Sequence, residues 1–78
     1  MTVAVRLYAG VRERAGKARI EVEAKTVAAL RAALAKACPE IQEQLPSCRF
    51  AVDDEFVSDD ATFRPGAVVD VIPPVSGG

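Results

Sequence analysis

Two stretches of period-two alternation followed by one of helical period limit the fold more than any single motif. In residues 2–8, TVAVRLY, the apolar Val3, Val5 and Leu7 alternate with Thr2, Ala4, Arg6 and Tyr8, which predicts a strand with one buried face. In residues 17–24, KARIEVEA, Ala18, Ile20 and Val22 oppose Arg19, Glu21 and Glu23 in the same way. The two strands are expected to pair as a hairpin through AGVRERAG, a connection closed by Gly16. Thr26 can then cap a helix over VAALRAALAKAC, its hydroxyl accepting from a free backbone N–H. Val27, Leu30, Leu34 and Ala37 fall on one stripe with Lys36 on the far side, so the helix should lie across the sheet. Pro39 stops it, because a residue before proline avoids the helical region.

The rest of the chain returns to strands. EIQEQLPS is a connection with room for one helical turn, and CRFAVD alternates Cys48, Phe50 and Val52 against Arg49, Ala51 and Asp53 as a third strand. A short edge strand is expected around Phe56 and Val57, then a turn at Pro65 and Gly66. AVVDVI, dense in β-branched residues, predicts a last strand running between two neighbours. The fold class is therefore α+β: a mixed sheet with one main helix packed across it. With the last strand central and beside the first, this is the β-grasp arrangement of ubiquitin. The division expected is a β-grasp domain over residues 1–72 and an extended tail over 73–78.

Composition removes several functions. At 78 residues the chain is one small domain, half of it apolar, with a net charge of −1 that gives no broad basic field for nucleic acid or anionic lipid. The start, MTVAVRLYAG, has neither a secretory pattern nor a membrane span, so a cytoplasmic protein is expected. There is no histidine, which removes the usual general base near neutral pH and the commonest zinc ligand. Cys38 and Cys48 are too few for a four-cysteine metal site and are expected as reduced, buried thiols. No metal is expected either at Asp53, Asp54, Glu55, Asp59 and Asp60, whose spacing is not that of an EF-hand loop and suits a solvated one. Catalysis by this chain alone is not expected.

The ending PPVSGG carries the most specific signal. Pro73 and Pro74 have no N–H for a ladder, so they end the sheet and start a stiff tail. Six extended residues reach at most about 20 Å. Two terminal residues without side chains suit a carboxylate that enters a passage where a Cβ would clash. With RLYAGVRERAG at residues 6–16 and FAVDDEFV at 50–57, the ending VVDVIPPVSGG at 68–78 resembles the small subunits of molybdopterin synthase, a family of ubiquitin-like sulfur carriers. The resemblance spans essentially the whole chain. It departs at Asp53, where Asn is common, and at RPGAVV, which replaces a more usual Gly-Asp turn.

That resemblance implies a chemistry. An E1-like partner uses ATP to adenylate Gly78, a sulfur donor protein displaces AMP to leave a thiocarboxylate, and the large subunit takes the sulfur for the dithiolene of a pterin precursor. The assembly implied is a heterotetramer, and this chain itself binds no cofactor. Pro74, Val75, Ser76 and Gly77 would enter the partner. Tyr8, Arg12, Val68 and Ile72 are the candidate interface residues: Arg12 by its match to the family's Arg-Glu, the others by their side of the sheet or their place next to the tail. Two other functions fit the same ending: a modifier joined through Gly78 to lysines of other proteins, and a sulfur carrier for another pathway such as thiamin biosynthesis. A persulfide relay through Cys48 is disfavoured by its place on the buried face.

Overall fold

The computed structural model describes residues 2–74. Five strands, β1 (Thr2–Leu7), β2 (Arg19–Glu23), β3 (Arg49–Val52), β4 (Glu55–Val57) and β5 (Val68–Ile72), form one mixed sheet in the order β2-β1-β5-β3-β4. The last strand is central as expected. It runs parallel to β1, with Val5 opposite Val69, and antiparallel to β3, with Phe50 opposite Val71. The remaining neighbours are antiparallel, including β1 with β2.

Helix α2 (Val27–Ala37) lies where the helical period placed it. Its start accounts for its free N–H groups: Thr26 Oγ1 accepts from Ala29 N at 3.1 Å, and the loop before β5 accepts from Val27 N (Ala61 O, 3.0 Å) and Ala28 N (Asp59 O, 2.9 Å). Val27, Leu30 and Leu34 are fully buried against Val3, Val5, Leu7, Phe50, Val69 and Val71. Ala37 and Ala18, expected on the inner faces, are exposed. Cys38, just past the helix, takes the inward position instead of Ala37, and Ala18 precedes the first paired residue of β2.

The larger difference is between β1 and β2. AGVRERAG is not a simple hairpin connection: Ala9–Ala15 form a second helix, α1, whose Val11 is fully buried. Ala9 turns the chain into it at a φ of 51°, and Gly16 ends it at a φ of 76°, its N–H donating to Arg12 O at 3.0 Å. The connection 38–48 holds two 3-10 turns, Pro39–Ile41 and Leu45–Ser47, which bury Ile41 and Leu45. Arg31 of α2 fastens this connection, donating to Leu45 O and Cys48 O while its guanidinium lies 4.6 Å above the Phe50 ring.

β3 and β4 meet in a two-residue turn at Asp53 and Asp54, with φ of 52° and 66°, between the paired Val52 and Glu55. Two left-handed residues in succession define a type I′ turn, whose twist suits a hairpin and whose second position favours glycine. Asp53 also holds Arg64 at 2.7 Å, so of the two turn residues only Asp54 makes no side-chain hydrogen bond or ion pair among the described residues. Asp54→Gly should therefore stabilise the domain by about 0.5 kcal/mol, relief of left-handed strain exceeding the added chain entropy. Thermal unfolding should rise by about 2–4 °C, and an unchanged or lower midpoint refutes this account of the turn.

Candidate functional site

The face of the sheet away from α2 carries the candidate site. Cross-strand register orders it in rows. One row runs Arg19, Arg6, Asp70, Ala51, Phe56 across all five strands, and the row nearer the tail contains Ile72 beside Arg49. Tyr8 follows β1 at that same end. β5 passes directly into Pro73 and Pro74, so the tail leaves from the centre of the sheet.

Asp70 is the one buried charged residue among those described. A carboxylate in the middle of a central strand must be paired to stay there. Arg6 Nε and Nη2 grip its two oxygens at 2.6 and 3.1 Å, and the Tyr8 hydroxyl donates to it at 3.3 Å. The hydrogen bond from Arg6 to Asp70, and then its charge, raise the Arg6 pKa and keep the guanidinium cationic. With Asp70 satisfied, its surroundings can be apolar: Tyr8, Ala9, Asp70, Ile72, Pro73 and Pro74 line an open groove of about 400 Å³ at the root of the tail. Further along, the Arg49 guanidinium stands over Phe56, its central carbon 3.7 Å from the ring centroid, and Phe56 is still 52 % exposed.

Of the residues singled out in the sequence, Tyr8, Ile72 and Pro74 meet in this groove. Val68 is on the same face four residues before Ile72, half-buried and paired with Ala4. Arg12 is exposed on α1 and does not line the groove. Val75, Ser76, Gly77 and Gly78 lie outside the described residues. Arg6, Asp70, Arg49 and Phe56 were not singled out, although a lone Asp within VVDVI was a visible signal that a cation must face it.

The two thiols are buried, and burial raises both pKa values; at Cys38 the Glu40 carboxylate adds to this, whereas at Cys48 the Arg31 charge opposes it. Both are therefore neutral thiols near pH 7, the unreactive form. Alkylating reagents should modify neither in the native protein at neutral pH and both after denaturation, as mass spectrometry would show. The linked stability has a fixed sign: a raised thiol pKa helps the fold below the ordinary value of 9.0 and is lost as pH climbs beyond it. Of the acidic residues after β3, Asp59 pairs with Arg31 at 3.0 Å and Asp60 accepts from the Ser58 hydroxyl. No helix among the described residues is long and apolar enough to cross a membrane.

This sheet order, with one main helix across it and the final strand leading out of its centre, defines a ubiquitin-like β-grasp protein. Residues 5–78 match the model of the ThiS family, and the chain belongs to that family. A search of curated proteins gives no match. Among solved structures it is similar to SAMP1 from Haloferax volcanii (22 % identity, TM-score 0.89, all of both chains). It is also similar to a putative molybdopterin converting factor, subunit 1, from Pyrococcus furiosus (28 %, TM-score 0.83, 96 % of this chain and 99 % of that one). A third is in a complex of subunits 1 and 2 of the molybdopterin-converting factor from Helicobacter pylori (25 %, TM-score 0.74, all of both chains).

Proposed function

We propose that this chain is the sulfur-carrying subunit of a molybdopterin synthase: Gly78 is adenylated, becomes a thiocarboxylate and delivers its sulfur to a pterin precursor inside a larger partner subunit. The observation that carries this reading is the exit of Pro73 and Pro74 from the central strand beside the Tyr8–Ile72 groove. A carboxylate is a poor electrophile because its charge is delocalised and oxide leaves badly. ATP, used by an E1-like partner, converts the leaving group to AMP; sulfur from a donor protein then displaces it. The catalytic side chains belong to the partners, in keeping with a chain that has no histidine.

The folded domain does the docking. Ordering the tail costs about 1–2 kcal/mol per residue, less at the prolines, and surface that binds first offsets this and concentrates the tail at its channel. Tyr8, Ile72 and Val68 form that surface with Phe56, and Val75, Ser76 and Gly77 follow Pro74 into the partner. The subunit complex from Helicobacter pylori supports a partner protein of this kind. The test is intact-mass analysis of the protein from its native host. Replacement of one oxygen by sulfur, lost on incubation with the large subunit and a pterin precursor, is expected. Larger species that survive reduction and contain a Gly78–lysine amide would instead make the chain a protein modifier, and transfer of the sulfur to a thiazole precursor would make it a thiamin carrier.

A further inference from the structure

The register of the outer face divides its charge. The end nearer the tail holds Arg19, Arg6 and Arg49 with a single acid, Asp70, whose two oxygens are already taken by Arg6. Away from the tail the same face holds Glu21 and Glu23 on β2 and Asp53 after β3. Successive rows on one face lie about 6.6–6.8 Å apart, so the change of sign occurs within one step of the pleat.

Arg6 and Arg19 sit directly opposite each other on β1 and β2. Like charges so placed repel. Asp70 relieves this from the other side of Arg6, and Arg6 spends only Nε–H and one Nη2–H on it, leaving its other donors without a partner among the described residues. Arg49 stands over the Phe56 ring with its N–H donors likewise without a side-chain partner among the described residues, and neither Arg49 nor Arg19 has an acidic partner within that set. A guanidinium with free N–H donors has the fork geometry that grips carboxylates.

We infer that Arg19, Arg6 and Arg49 form a cationic strip that docks on carboxylates of the E1-like adenylating partner, placed around the mouth of the site that takes up the C-terminal tail. The occupant is a protein rather than a nucleic acid. The strip is bounded by Glu21, Glu23 and Asp53 and shares its end of the sheet with an apolar groove, and the chain as a whole has a net charge of −1. The strip and the groove divide the work: the groove supplies apolar contact, while the strip fixes the orientation in which the tail points inward and speeds encounter.

This inference rests on the carrier reading, and the experiment separates the two. ATP–pyrophosphate exchange by the E1-like adenylating enzyme of the same organism is measured against carrier concentration at about 0.01 M and about 0.15 M salt, between which the screening length falls from about 30 Å to about 8 Å. For the wild-type chain KM should rise about tenfold with salt while kcat holds. Arg19→Gln with Arg49→Gln should raise KM about tenfold at low salt, leave kcat unchanged and lose most of the salt response. Arg19→Lys with Arg49→Lys, which keeps the charges, should restore the salt response; Glu21→Gln with Glu23→Gln should leave KM equal or lower. Circular dichroism and thermal unfolding check that each variant is folded. A folded Arg19→Gln, Arg49→Gln chain with wild-type KM and salt response overturns the strip alone. A wild-type chain that supports no exchange overturns the carrier reading, and the strip with it. Loss of RNA binding, rather than of exchange, in the Gln variant would reassign the strip to nucleic acid.

Discussion

Deleting Gly78, or adding one alanine after it, should abolish sulfur delivery while leaving the fold intact. From Pro74, the last described residue, four extended residues reach at most about 13–14 Å, and either change moves the reactive carbon by about 3.3–3.6 Å. Reacting atoms must meet within about 3–3.5 Å, and a misplacement of about 1 Å can already cost about a hundredfold. Sulfur transfer should therefore fall by at least about a hundredfold in both variants. Stability should stay within about 0.5 kcal/mol of wild type, since in sequence the change comes six residues after the last strand ends at Ile72. The two readouts are thermal unfolding and dithiolene formation with the large subunit, ATP, the adenylating enzyme and a sulfur source. Wild-type rates from either variant would show that the C-terminal glycine is not the carrier.

The strands and the long helix were legible because their periods match their burial: Val3, Val5 and Leu7 alternate inward, and Val27, Leu30 and Leu34 recur along one stripe. The central place of β5 was legible from its β-branched residues. Helix α1 was not. Its seven residues bury only Val11, and a single apolar anchor between two alanines sets no period; tertiary contact on the connection 39–41 and the end of β5 gives it a place to fold. Half of the candidate site was equally hidden. Tyr8 and Ile72 stood out by their nearness to the tail, but Arg6 with Asp70 and Arg49 with Phe56 are separated by 64 and 7 positions, and only the strand register brings each pair together. Alternation gives the side of the sheet on which a residue lies; it cannot give the row.

The largest effect on stability should come from Phe50→Ala. Phe50 is the bulkiest of the fully buried side chains, 1 % exposed, placed opposite Val71 of β5 and Val57 of β4. Truncating a buried phenylalanine costs about 3–5 kcal/mol, transfer and cavity together. The loss also strands the Arg31 guanidinium that lies over the ring, the side chain that ties α2 to the connection before β3. At about 0.05–0.15 kcal/mol per residue, a 78-residue domain has about 4–12 kcal/mol in all, so this one change removes between about a quarter of it and all of it. Urea unfolding should show a midpoint far below wild type with an unchanged slope, and Phe50→Leu should fall between the two. A loss under about 1 kcal/mol would mean that Phe50 does not fill the core as described. The functional consequence follows from the sheet: β3 flanks β5, and β5 leads directly to Pro73. Sulfur transfer by Phe50→Ala should therefore decline in step with the unfolded fraction, recovering on cooling toward the temperature of maximum stability, whereas the loss caused by deleting Gly78 should persist at every temperature.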